Sequence, residues 1–599
     1  MSNMGTRFGE ETQIDADGWP PEIAVSGSLG LLLSLYQQTP TPLFHVCTST
    51  PGQLWDAGIA VNHDCSAHDF LESVRKNTQL STTLPAGPEA FWLRTDSFQN
   101  WETSNSRNSA IPRQILCTVR GSQTSRLLKL EIIGKSSPAN EKFLSQLVHV
   151  VKQLLVATKD GRMLRALDLI CDLDRQDLQR WNKQPPSTIA STVHEMFRQR
   201  VLESPESQAV ESWDGWLTYR ELDTLSSRVC SLLLSAGARQ SDCIPLCFEK
   251  TLWTTVAMLG VLKSGCSFML MDVSHPTSRL QALTKETKAT IILSSSAQED
   301  RAISLAPRAI VVSASSLSTP SLLTPSVEVS PHDGAAVIFT SGTTGTPKGI
   351  QLEHESLCSS LVALAQLSGI NKQTRYFQFS SYAFDAAFGE ILMTLMHGGC
   401  VCIPSNADRL NKLAESIRNF NANAVLLTPT VVRLLSLSDV PCLTTLISGG
   451  EKVTQDIVGL WEDKLDLIIA YGPAESTVAC IAKKARSMGD DAARIGFPVN
   501  SRAWIARLDD PNQLAPVGAI GELVVEGPGI ARGYINNEAG NAKLFLNSLP
   551  WAKESIGRAY RTGDLVRYAD DGELVFIGRR DRQVNFVGKG SSSRKSRAS

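Results

Sequence analysis

The chain has 599 residues, enough for about three to five domain-sized units, with 42% hydrophobic and 20% charged residues, the balance of an ordinary soluble globular protein. Its 58 basic and 60 acidic side chains leave a formal net charge of −2, which gives no electrostatic reason to expect nucleic acid or an acidic membrane as a partner. No apolar run approaches the ~18 residues of a membrane span, and the 13 cysteines show no paired metal-ligand spacing.

In chain order, residues 1–20 are polar, lack an apolar signal core and are expected to be disordered. With the unpaired cysteines they point to a reducing, cytoplasmic setting. Residues 21–160 alternate strand-like and helix-like text. They close on 140–156 (NEKFLSQLVHVVKQLLV), where Phe143, Leu144, Leu147, Val150, Val151, Leu154 and Leu155 keep the three-four spacing of one buried helical face. Residues 161–190 read as a linker carrying Trp181-Asn182 and Pro185-Pro186. From 191 to 577 strands and helices alternate: 244–248 strand, 251–262 helix, 267–271 strand, 289–294 strand. That rhythm predicts a mostly parallel sheet covered by helices. Cys243/Cys247 and Cys400/Cys402 fall in strand-like text and read as small buried hydrophobes. Residues 313–331, rich in Ser, Thr and Pro, read as a surface loop. The last stretch, 578–599, ends in SSSRKSRAS, which has too little apolar content to pack.

The chemistry concentrates in 340–349, TSGTTGTPKG, which follows the apolar run 335–339. Three glycines, five hydroxyls and one lysine after a buried strand suit a polyanion, because backbone N–H groups and a cation can approach it closely. The pattern is not G-x-x-x-x-G-K-[ST], since Pro347 stands where the second glycine belongs and Gly349 follows Lys348. Past the apolar run 465–469 comes AYGPAEST (470–477), with an aromatic that can stack on a base and a carboxylate that can hold magnesium. Alone it is equally a β-turn with a capping glutamate. YRTGDL (560–565) and GRRDRQV (578–584) add a carboxylate after glycine and an Arg-Asp pair, each readable singly as a turn or a solvated charge cluster.

Eight segments occur in one order: LTYREL (217–222), LKSGCSFMLMD (262–272), TSGTTGTPKG (340–349), FDAAFGEI (384–391), AYGPAEST (470–477), GELVVEGPGIARGY (521–534), YRTGDL (560–565) and GRRDRQV (578–584). As a series they resemble the adenylation domain of a nonribosomal peptide synthetase, of the adenylate-forming superfamily. The resemblance implies a layered α/β large subdomain with mostly parallel sheets and a small β-barrel. It implies ATP and magnesium as cofactors and an amino acid as substrate, with aminoacyl-AMP formed first and then passed to a phosphopantetheine thiol on a separate carrier protein or another synthetase polypeptide. By the same resemblance Thr340, Ser341, Thr343, Thr344 and Lys348, on a loop shaped by Gly342, Gly345 and Gly349, hold the phosphates. Tyr471 stacks on adenine, Glu475 binds magnesium, Asp564 and Arg579 take the ribose, and Asp581 is a hinge. Lys348 and Glu475 are the catalytic pair.

Asp385 is expected to meet the substrate α-ammonium, since a buried carboxylate needs a compensating cation. The other positions matching the family's pocket are Ala386, Gly389, Leu426, Ile447, Gly449, Ala470, Val478 and Ala479. None is charged, so a bulky apolar or aromatic amino acid is expected. Residues 21–160 resemble the C-terminal lobe of a condensation domain without its His-His-x-x-x-Asp-Gly segment. His63 and His68 are expected to be ordinary surface histidines and the lobe to be an α+β scaffold. The resemblance stops near Gly588, before the lid with its lysine and the carrier; Lys589 lies in another context. That ending implies slow adenylation and no self-thiolation. Two alternatives stay open: a vestigial, non-catalytic nucleotide-binding fragment, and an acyl- or aryl-acid CoA ligase.

Overall fold

A computed structural model describes residues 7–14, 19, 21–38, 43–48, 54–77, 89–94, 114–121, 126–133, 137–318, 327–340, 347–461, 464–485, 491–552 and 556–580. They divide into two compact units. One comprises Met1–Gln184, Trp504–Val524 and Gly563–Ser599, the other Pro185–Ala503 and Val525–Thr562.

The first unit is α+β. Its six-stranded sheet runs in the order Arg7–Ile14, Arg126–Ile133, Gln114–Gly121, Glu89–Arg94, Leu43–Thr48, Leu54–Gly58, with every neighbour antiparallel. Arg7–Ile14 corrects the expectation of a disordered N-terminus. It is an edge strand specified by its ladder with Arg126–Ile133, and its mostly polar text carries no hydrophobic alternation to betray it. Helix Pro138–Asp160 opens with Ser137 accepting from the Asn140 amide and proline at its first turn, and it closes on Gly161 at φ 65°. All seven apolar residues singled out in its sequence are buried.

The linker is not an open connector. It contains helix Asp172–Trp181, whose Asp174 is fully buried. Asp174 accepts from Gln146 Nε2 at 2.8 Å and from the Val517 amide at 3.3 Å. Trp181 packs on Tyr568, ring centroids 4.9 Å apart, and Gly572 is glycine because a Cβ there would lie 2.5 Å from that indole. The Arg507 guanidinium, 0% exposed, donates to Leu167 O at 2.8 Å and pairs with Asp509. Asp509 also pairs with His63 Nδ1 at 2.8 Å. His63 is therefore no free surface histidine, a correction that depends on a partner far along the chain. His68 is exposed, edge-on to Trp19 at 5.3 Å.

The second unit is doubly layered α/β. One sheet runs Arg308–Val311, Ile291–Ser294, Cys243–Phe248, Ser267–Asp272, Gly334–Thr340, all parallel, then adds Lys348–Glu353 and Gly533–Tyr534 antiparallel. The other holds Gln208–Ser212, Cys400–Ile403, Arg375–Phe377, Ala424–Leu427, Thr445–Gly449 and Asp466–Tyr471 in parallel, followed by antiparallel Ile481–Lys484 and Arg494–Pro498. Short apolar runs such as CIPLCF and AVLL read as strands buried on both faces, which is what helices on either side of a parallel sheet require. Cys247, Cys400 and Cys402 are buried in this unit, and none of the cysteines with a described side chain is bonded to another. No sheet among the described residues closes on itself. The expected small barrel is thus corrected: strands were legible in the text, but closure depends on pairings that alternation does not encode. No helix among the described residues is long and apolar enough to cross a membrane.

Candidate active site

The glycine-rich loop joins the last parallel strand, Gly334–Thr340, to the antiparallel Lys348–Glu353, so its two ends face each other as the ladder pair Thr340↔Lys348. Ser341, Gly342, Thr343, Thr344 and Gly345 lie outside the described residues, as does Asp581. Gly349 is buried against Ile535, where a Cβ would come within 2.6 Å, so this glycine serves close packing. Strand Gly533–Tyr534 pairs with Lys348–Glu353 and brings Tyr534 to the loop's exit, where Lys348 Nζ sits 5.2 Å from the tyrosine ring centroid.

The same Tyr534 reaches the other motif. Its hydroxyl donates to Glu475 Oε1 at 2.6 Å and lies 3.1 Å from the Tyr560 hydroxyl. Burial, then the Glu475 charge, pushes the Tyr560 phenol far above its ordinary range, so it stays a neutral hydrogen-bonding group. Glu475 sits in the turn Ala474–Ser476 after strand Asp466–Tyr471 and is 8% exposed. A buried carboxylate ringed by phenols is a hard oxygen donor of the kind magnesium shares with phosphates, so this residue fits that ion.

Asp385 opens helix Asp385–Met396, where an acidic first turn meets the positive end of the helix dipole. Its Oδ1 accepts from the Ala386 amide at 2.9 Å and its Oδ2 from the Val478 amide at 3.1 Å. Burial pushes this carboxyl up to about 6, two amides hold it back, and Glu475 pushes it further. No cation among the described residues pairs with it. Val478 presents its amide from a left-handed backbone, φ 69°, next to Thr477 at φ 58°. Two consecutive non-glycine residues in that region, one of them β-branched valine, mark strain held by the surrounding structure.

The remaining pocket candidates lie on helix Asp385–Met396 and on the ends of neighbouring strands of this unit. Parallel register sets Leu426 beside Ile447 and Gly449 beside Ala470. Ala386, Leu426, Ala470 and Val478 keep some accessible surface, while Ile447 and Ala479 are buried. The two glycines do not supply the free volume expected of them. A Cβ on Gly389 would meet Val478 Cγ2 at 2.9 Å, and one on Gly449 would lie 2.4 Å from Ala470 O.

Tyr471 ends strand Asp466–Tyr471, half-buried, its carbonyl accepting from the Cys480 amide. In the other unit Asp564 and Arg579 face each other as ladder partners, Nη1 to Oδ1 at 3.2 Å, with Asp564 buried. Glu353 stands in none of the matching segments. This buried carboxylate pairs with Arg532 at 2.9 Å and with Arg558, and so ties the end of the strand after the glycine-rich loop to the segment that delivers Tyr534. Its place at the end of a strand, against Arg532 inside one matching segment and Arg558 just before another, is the signal that could have flagged it.

A family model described as AMP-binding enzyme matches residues 197–535. The chain is 41% identical over 449 residues to the nonribosomal peptide synthetase atnA of Emericella nidulans, covering 74% of this chain and 6% of that protein. It is 40% identical over 452 residues to the N-benzoylphenylalaninol synthetase apmA of Penicillium brevicompactum, 75% of this chain and 19% of that one. It thus spans less than a fifth of either curated relative. Among solved structures, the nonribosomal peptide synthetase FmoA3 in its AMPPNP-bound form aligns with TM-score 0.77 at 19% identity, over 96% of this chain and 68% of that one, a likeness of fold.

Proposed function

The chain belongs to the AMP-binding enzyme family, and from that membership we propose that it is the amino-acid-activating part of a nonribosomal peptide synthetase. The substrate carboxylate attacks the α-phosphate of ATP, giving aminoacyl-AMP and pyrophosphate. A thiol on a carrier then takes the aminoacyl group and releases AMP. The observation that carries this reading is Asp385, a carboxylate desolvated, bonded by two amides and left without a cation among the described residues. An α-ammonium supplies the missing charge, whereas an aryl or fatty acid leaves the carboxylate uncompensated.

With the ammonium held there, the substrate carboxylate is oriented toward the phosphates, and orientation is a large share of such catalysis. Lys348 and the hydroxyls of the loop it follows neutralise phosphate charge as it builds on the leaving pyrophosphate. Magnesium, when bound, screens the phosphates from one another. Glu475 is its ligand in this reading and Tyr534 orients that carboxylate. Tyr471 is assigned the adenine, and Asp564 with Arg579 the ribose, on their sequence context. The lining carries no polar side chain besides Asp385, which favours a bulky apolar or aromatic substrate.

ATP–pyrophosphate exchange across the twenty amino acids tests the assignment. A large apolar amino acid should give the highest rate, and Asp385→Ala should lower kcat/KM by about a hundredfold, the effect of leaving a buried charge unpaired. A preference for Asp, Lys or Gly, or an aryl acid outpacing all amino acids, would overturn it.

A further inference from the structure

A second polar cluster lies on the helix that Asp385 opens and joins Glu390, from the segment FDAAFGEI, to Lys250, Gln378 and Ser380, which fall in none of the matching segments. Lys250 follows strand Cys243–Phe248 and is 3% exposed. Its ammonium donates to Ser380 O at 2.6 Å and to Gln378 Oε1, and stands 4.5 Å from the Tyr382 ring centroid. Glu390, in the second turn of the helix that Asp385 opens, is equally buried. Its carboxylate accepts from Ser380 Oγ at 2.7 Å, from the Ser380 amide at 3.2 Å and from Gln378 Nε2 at 2.7 Å. Ser381 adds a hydrogen bond to Asp272 at the end of its own strand, and Arg409 donates to Phe379 O at 2.9 Å.

Two facts give this cluster direction. First, Ser380 and Glu390 bracket Asp385, so the hydrogen bonds between them close residues 380–390 into one staple around it. Second, Gln378 and Ser380 each touch both Lys250 and Glu390, so the staple is fixed by a cation just past strand Cys243–Phe248. Lys250 and Glu390 are bridged through Gln378 and Ser380 rather than paired directly, and buried opposite charges are in any case weak evidence for stability, because apolar replacements of similar volume are often as stable. The value of the cluster lies in geometry.

We propose that Lys250 and Glu390 are positioning residues for the amino acid, holding the first turn of helix Asp385–Met396 at the angle from which Asp385 meets the α-ammonium. The inference rests on the amino-acid-activating reading. It assigns the pair no contact with substrate.

The test is titration calorimetry with ATP and magnesium present, using each of the twenty amino acids in turn on the full chain to find the one it takes. That amino acid is then titrated into Glu390→Gln, Lys250→Met and the double variant. Each single change should weaken amino-acid binding about tenfold, the scale of hydrogen bonds to a charged group, while ATP affinity moves less than twofold. The double variant should lose less than the product of the two singles, the mark of coupled residues. Glu390→Gln is nearly isosteric and keeps the test open if Lys250→Met fails to fold. Equal losses for ATP and amino acid, or lower thermal stability with unchanged amino-acid affinity, would overturn the positioning role. A parent chain that binds ATP but none of the twenty would instead sink the functional reading itself.

Discussion

At the scale of single residues, Asp385 sets a pH dependence that can be read directly. Its carboxyl is pushed up to about 6 by burial, against the pull of two amides. The ionised form is the one that attracts an α-ammonium, whose own charge persists throughout this range. Amino-acid affinity should therefore be full above about pH 6 and fall about tenfold per pH unit below it. Calorimetric titration between pH 5 and pH 8 checks this, and an affinity flat across that window would contradict it. Tyr534 carries a second expectation. Tyr534→Phe keeps the ring beneath Lys348 but removes the donor to Glu475. It should raise the magnesium concentration for half-maximal exchange by about three- to tenfold and leave the amino-acid KM alone. Manganese binding followed by electron paramagnetic resonance gives an independent reading of the same site.

At the scale of elements, the first turns of helices Val193–Glu203 and His354–Ser368 meet through two histidines, His194 and His354, edge to face at 5.4 Å. Burial drives both down, His194 to about 4 with help from Lys263, and His354 to about 3 with help from His194. Above pH 6.5 both are neutral, folded or unfolded, and contribute no pH dependence. As pH falls below 6.5 the unfolded chain takes up protons that the folded chain refuses, so stability declines until about pH 4 and then 3. Urea midpoints should drop steadily from pH 7 to pH 5, and His354→Asn should flatten that slope; a wild-type midpoint that holds steady would contradict the account. The elements themselves were largely visible in the text. Runs such as CIPLCF, SFMLMD and AVIF carry strand composition, and NEKFLSQLVHVV carries helical spacing. Arg7–Ile14 was not visible, because an edge strand is fixed by a ladder and leaves little imprint on hydrophobic pattern. The candidate site was legible where glycine, proline and a carboxylate stand together, as at Gly472–Glu475. It was illegible where a role depends on partners brought by the fold, as with Glu353 and Lys250, whose surroundings in sequence look like ordinary strand or loop text; Glu390 lies inside FDAAFGEI, but its partners Gln378 and Ser380 do not.

At the scale of the molecule, the N-terminal unit draws essential groups from late in the chain. Arg507 is buried, and it is compensated by Asp509, whose carboxyl burial would raise but hydrogen bonds from His63 and Arg507 hold well below the usual carboxylate range. Asp509→Ala in the full chain should cost about 3–5 kcal/mol, because it strands a buried guanidinium. Denaturant unfolding monitored by near-ultraviolet circular dichroism measures it, and a loss below about 1 kcal/mol would show that water reaches Arg507.

That shared unit also imposes a timetable on synthesis. Gln146 and Asp174 find Val517, and His63 finds Asp509, only after the ribosome has added the chain that separates them. At about 5–20 residues per second, the early lobe waits roughly 20 to 70 s with Gln146 and Asp174 lacking Val517. A nascent chain stalled in that interval offers a chaperone a defined target, and one released past Tyr568, which covers Trp181, no longer does.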